Sequence, residues 1–244
     1  MSLSPADGAA YWLRWQVLVC GALIALPTVA AAALLPRLRS SAPPLRAADL
    51  WVPCWARLHP GWLLAYRAVA LAAAVALLAR LVVARGITVF YFYTQWTFLL
   101  VTIYFATSAG ATMLTDVTYW GLLVPFFYRD KFGLALFTDG MHSLNAVFLL
   151  IDTLLNNMPF PWYRMSFFVF WSCAYVTFQW VLHACGGVSW WPYPFLDLSS
   201  SGAPLWYLGM AIAHVPCFFL YWLIVKAKHT YFQRMFPHAY VRAT

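Results

Sequence analysis

Long apolar runs constrain this chain more than any other feature. Five of them qualify as membrane spans: residues 11–35, 61–84, 134–156, 164–185 and 203–225. A helix rises about 1.5 Å per residue, so about 20 apolar residues cross a hydrocarbon core of about 30 Å. Backbone polar groups in lipid are satisfied only in helices or closed barrels, and these runs are too long for barrel strands. The expected fold is therefore all-α, a polytopic transmembrane helical bundle. It forms one domain over residues 1–244, with a short tail at 1–10 and a basic tail at 226–244.

Composition agrees. The chain is 64% hydrophobic and 9% charged, against roughly 25% charged in soluble domains. Its net charge of +8 does not indicate nucleic acid, because the basic residues are scattered or lie just outside the apolar runs. That is the placement of topology signals, which meet anionic lipid on the cytoplasmic side. Lys226, Lys228, Arg234 and Arg242 put the C-terminus in the cytoplasm of a plasma-membrane or endoplasmic-reticulum protein. The five cysteines include no CxxC pair, so they predict neither a disulfide framework nor a thiolate metal site. The opening residues lack the basic region of a cleavable signal, so the first apolar run is expected to be retained.

The region 88–128 decides the number of spans. It holds no Lys or Arg and one acid, Asp116. As one straight helix it would be roughly twice as long as the hydrocarbon core is thick. It is either one span followed by an interfacial segment, giving six crossings, or a hairpin bent near Ser108, Ala109 and Gly110, giving seven. The distribution of basic residues leans slightly toward seven. Three charges, Arg67, Asp116 and Asp152, fall deep within apolar runs, where a charge faces the bundle interior and seeks a partner. Arg67 is expected to pair with one or both acids.

Two residues raise the question of chemistry. Thr94 lies in "YTQWTFLLVTIYF", and His142 in "TDGMHSLNAVFLLIDTLLNN". With seven spans both helices begin on the same side, which brings the two residues to a similar depth. With six they enter from opposite faces. A Thr hydroxyl becomes a nucleophile when a base takes its proton, and neutral imidazole is the usual base near pH 7. Tyr93, Gln95, Trp96 and Asn145 are nearby donors for a developing oxyanion. The opposing reading is structural, since Thr and His in spans commonly make interhelical hydrogen bonds.

The blocks "YTQWTFLLVTIYF", "TDVTYWGLLVPFF", "GMHSLNAVFLLIDTLLN" and "WWPYPFLDL" together resemble the androgen-induced-protein-like membrane family, especially its rolling-stone-like branch and plant relatives. The resemblance covers roughly 51–228. It implies a threonine hydrolase of fatty acid esters of hydroxy fatty acids, with Thr94 as nucleophile, His142 as base and no cofactor. The chain departs from the plant pattern between its first and second blocks, where only "ATSAGATM" separates "LVTIYF" from "LTDVTYW". The rolling-stone name also attaches to cell fusion, so a non-catalytic scaffold or fusion/adhesion factor is the competing expectation. A zinc site from His142, His183 and His214 is a third, although the HxxxH pair of ceramidase-like hydrolases is missing. The expected partners are the bilayer and a lipid ester.

Overall fold

The computed structural model describes residues 8–42, 44, 52–103 and 135–242. Among these residues the regular elements are helices: α1 (Ala9–Trp12), α2 (Trp15–Ser40), α3 (Pro60–Arg85), α4 (Tyr93–Ile103), α5 (Ala135–Leu155), α6 (Arg164–Ala184) and α7 (Ala203–Met235). Two 3₁₀ turns, Gly86–Tyr91 and Pro194–Leu196, precede α4 and α7. The supposed bend at Ser108–Gly110, together with Asp116, lies outside the described residues.

Among the described residues, four helices are long and apolar enough to cross a membrane. They are α2, α3 with its 3₁₀ extension, α6 and α7, with mean hydropathies of 2.4, 2.1, 1.4 and 1.9. Between 11% and 28% of each apolar window is buried within the molecule. Most of the apolar surface therefore faces outward, as Leu13, Trp62 and Leu205 do. In water such a surface would drive association. In a bilayer it is simply the face turned to solvent.

Local chemistry explains several helix ends. Pro60 opens α3 at a position where its missing N–H costs nothing, and His59 Nδ1 accepts the Gly61 N–H as a cap. Gly86, at φ 69°, ends the same helix. At the end of α6 the Gly186 N–H reaches His183 O and the Gly187 N–H reaches Leu182 O. These two bonds form a Schellman motif, and Gly186 supplies its positive φ of 72°.

The helices outrun the hydropathy boundaries. α2 continues through Pro27 and Pro36 to Ser40. α7 passes residue 225 and stops at Met235, where Pro237 restrains the residue before it. Lys226, Lys228 and His229, expected in a tail, are therefore helical. Hydropathy marks where lipid ends, and nothing at Val225 breaks a helix.

Contacts fix the helix directions. Arg67, near the start of α3, bonds Asp152, near the end of α5, with Nε to Oδ1 at 2.7 Å. Thus α3 and α5 run antiparallel. Phe98 packs on Ala74 beside Leu77, Leu78 and Leu81, so α4 returns along α3 after the Gly86–Tyr91 turn. Both helices oppose α3, so α4 and α5 run in the same direction. The bundle has two distinct ends, one around Asp152 and one around Tyr193.

Around Asp152 the polar groups are tied together. Asn156 Nδ2 donates to Asp152 Oδ2 at 2.8 Å, and Arg67 Nη2 reaches the same oxygen at 3.3 Å. Lys228 Nζ donates to Asn156 O, and Thr153 shares a bond with Tyr221 Oη. Residues 53–56 thread between α5 and the C-terminal segment, where Cys54 N donates to Leu155 O and Val241 N to Cys54 O. The space left there is about 10 Å³, the limit for a single water. Burial raises the Cys54 thiol pKa, and it pushes the Tyr240 hydroxyl up to about 12.

Candidate functional site at the Tyr193 end

Thr94 is the second residue of α4. The helix starts at Tyr93, later than the apolar run, because Gly86–Tyr91 forms a 3₁₀ turn whose residue Phe90 accepts a bond from Trp96 Nε1. This leaves Thr94 in the first turn, at the partially positive end of the helix dipole.

Tyr193 closes over this turn. It sits between Pro192 and Pro194 on extended backbone (φ −131°, ψ 137°), the conformation a following proline favours. Its Oη accepts the Tyr93 N–H at 3.2 Å and lies 3.4 Å from Thr94 Oγ1. A hydroxyl pair usually sits at about 2.7–2.8 Å, so Thr94 is held loosely. Tyr93 Oη pairs with Ser172 Oγ at 2.7 Å, and Tyr175 Oη and Gln179 Nε2 both donate to Tyr91 O. The rings of Tyr193 and Phe195 stack with centroids 5.0 Å apart.

Beneath this polar roof lies a cavity of about 280 Å³, between α2, α6 and α7. Engineered apolar cavities of about 150 Å³ already take up benzene. Leu23, Ile24, Met165, Val169 and Met210 supply apolar wall, while Thr94, Ser172 and His214 are among its polar members. Val215 also lines it and is 60% exposed. The cavity therefore reaches the outward, lipid-facing surface.

His142 falls within α5, but its side chain lies outside the described residues, and so does its distance to Thr94. Levels along the bundle can still be compared. Val101 packs on Leu149. Thr94 and His142 each precede that contact by seven residues, or about 10 Å, on helices running the same way. Their backbones share a level to within about one turn, ~5 Å.

The four suggested oxyanion donors fare differently. Trp96 Nε1 is committed to Phe90 O and Tyr93 Oη to Ser172. Gln95 and Asn145 are both buried, at 6% and 5% exposure, and Gln95 Oε1 has no hydrogen-bond partner among the described residues. Of the zinc triad, His183 stacks on Trp191 with centroids 4.2 Å apart, whereas His214 lies against Phe168. No group of three metal-ligating side chains occurs among the described residues.

Tyr193 is not among the site residues expected from the sequence, although it lies in the "WWPYPFLDL" block. Its signal was the Pro-Tyr-Pro context, which fixes backbone on both sides of one ring. His229, expected in the basic tail, bonds Tyr240 Oη from within α7. No family model, curated protein or solved structure matches the chain.

Proposed function

We propose that this is an integral-membrane lipid-ester hydrolase in which Thr94 attacks the ester carbonyl and His142 takes its proton. His142 then returns that proton to the departing alkoxide, and water releases the acyl group from Thr94. One observation carries the reading: the Thr94 hydroxyl borders an apolar cavity that reaches the lipid-facing surface. The positive end of α4 favours a developing oxyanion, and Tyr193 supplies a hydroxyl beside it. The resemblance to the androgen-induced-protein-like family points to the same pair and to esters of hydroxy fatty acids.

Of the six or seven crossings, the shared direction of α4 and α5 supports seven. We place the C-terminus in the cytoplasm, and the protein in the plasma membrane or endoplasmic reticulum. Labelling with a fluorophosphonate probe tests the chemistry. Wild type is expected to label and to cleave a branched fatty-acid ester, and Thr94→Ala and His142→Ala to do neither. Full labelling of Thr94→Ala would overturn the assignment. Cysteine accessibility at positions 94 and 142 tests the topology, with both reacting from one side of the membrane.

A second reading is favoured by the Thr94–Tyr193 contact itself, which ties α4 to the loop after α6. In that reading the protein is a non-catalytic scaffold or fusion/adhesion factor. Wild-type protein that labels with no probe yet captures a membrane partner would select it.

A further inference from the structure

The point at which α4 begins is not dictated by its own residues. Residues 87–103 contain neither Gly nor Pro, so nothing local stops one helix from running through them. The chain nevertheless breaks at Phe92, whose backbone is extended (φ −101°, ψ 137°). In an unbroken helix each N–H would bond the carbonyl four residues earlier. Thr94 N would then take Phe90 O, and Gln95 N would take Tyr91 O.

Side chains hold these carbonyls instead. Phe90 O accepts Trp96 Nε1 at 2.8 Å. Tyr91 O accepts Tyr175 Oη at 2.8 Å and Gln179 Nε2 at 2.7 Å, which occupies both of its lone pairs. Gln95 N falls back on Phe92 O at 3.2 Å, and Tyr93 N on Tyr193 Oη. The Thr94 N–H has no backbone partner among the described residues. Ser172, Tyr175 and Gln179 are spaced i, i+3 and i+7, so they share one face of α6. All three grip residues 91–93, Ser172 through Tyr93 Oη. Tyr175 and Gln179 are 3% and 2% exposed. A buried amide is costly unless it is bonded, and this one is committed to the carbonyl that would otherwise continue α4 backward.

We propose that Gln179, together with Tyr175, is a positioning residue that keeps α4 from extending back through Phe92. By holding Tyr91 O it keeps Thr94 in a first turn, where the nucleophile's own N–H stays uncommitted as an acyl oxyanion develops. Without these donors the 3₁₀ turn and α4 merge, and Thr94 becomes an interior residue of one helix. The consequence for turnover rests on the hydrolase reading of Thr94, whereas the break itself does not.

The test uses full-length protein in phosphatidylcholine nanodiscs. Gln179→Met keeps the volume and removes one donor. Tyr175→Phe removes the other with little change of shape, and stands in should the first variant not fold. Each is expected to lower kcat for a branched fatty-acid ester about tenfold, the scale of one lost hydrogen bond, with KM unchanged. Adding Phe92→Gly to Gln179→Met should restore part of that loss, because glycine disfavours the merged helix. A purely structural role predicts the opposite, since a second destabilising change would lower activity further. Amide hydrogen exchange at Thr94, followed by NMR on protein with isotope-labelled threonine, needs no turnover. It should slow about tenfold in Gln179→Met, because Thr94 N gains Phe90 O. Faster or unchanged exchange in both variants would overturn the proposal, as would wild-type kcat in both. If wild type cleaves no ester the hydrolase reading fails, and slower exchange in Gln179→Met still supports Gln179 as the holder of the break.

Discussion

The two ends of the bundle bury polar groups in opposite ways. At the Asp152 end, an acid, a guanidinium, an ammonium and an amide close on one another with room for about 10 Å³ of empty space. At the Tyr193 end, hydroxyls gather above a cavity of about 280 Å³, and one buried imidazole nitrogen is left open. Charge at membrane depth must be neutralised locally, so the first arrangement holds helices together. An unfilled apolar space with an unspent acceptor contributes nothing to holding helices. It is the arrangement expected of a site, and the contrast is what directs the proposed function to the Tyr193 end.

The contrast can be broken most directly at Asp152. Replacing it with Leu takes away the acid that faces Arg67 and Asn156. Disrupting such a buried pair typically costs about 3–5 kcal/mol, so a loss of that order in detergent-resistant stability is expected. Asp152→Asn should cost less, because it keeps an acceptor. A Leu variant as stable as wild type would show that this end is not the structural one.

A smaller effect is expected at the roof of the cavity. Ser172→Ala deprives Tyr93 Oη of its 2.7 Å partner, for an expected loss of about 1–3 kcal/mol. Thermal unfolding with and without a branched fatty-acid ester sharpens the comparison. Added lipid should stabilise both Ser172→Ala and wild type, while leaving the deficit of Asp152→Leu uncorrected relative to wild type.

A pH dependence is expected at the Asp152 end. Tyr240 keeps its proton to about pH 12 when folded because it is buried, whereas an exposed tyrosine titrates near 10. The folded state thus binds the proton more tightly, so stability is fully present below about pH 10 and declines as pH rises toward 12. At pH 11 the loss is on the order of 1 kcal/mol, and Tyr240→Phe should remove it. Unfolding curves at pH 9 and pH 11 measure this.

Tyr193→Phe should have the smallest effect on stability, about 0.5–1 kcal/mol, since it removes one long and one ordinary hydrogen bond. Its value lies in probe labelling. If Tyr193 steadies the oxyanion, labelling at Thr94 falls much further than stability does. Parallel losses in both would favour the scaffold reading.

Much of the Asp152 end was legible in the chain. A deep Arg67 and a deep Asp152 in lipid-length runs leave little choice but to meet, and they do so at 2.7 Å. Helix ends were less legible, because Lys226 and His229 continue α7 with no loss of backbone bonding. At the other end, Thr94 stood out by its spacing to the rest of "YTQW", yet its neighbour Tyr193 lies 99 residues away in sequence. No local pattern announces such a contact.

Composition and run length alone determined that the chain is helical, that lipid is its solvent, and that its deep charges must be paired. Those outcomes follow from the cost of unsatisfied polar groups in hydrocarbon, which acts on every residue wherever it lands. Only the tertiary structure decided that α4 and α5 run together, that a proline-flanked tyrosine roofs a cavity, and that an imidazole nitrogen is buried beside it. These features depend on which helix faces pack against one another, and a void is a property of the packed assembly rather than of any segment within it.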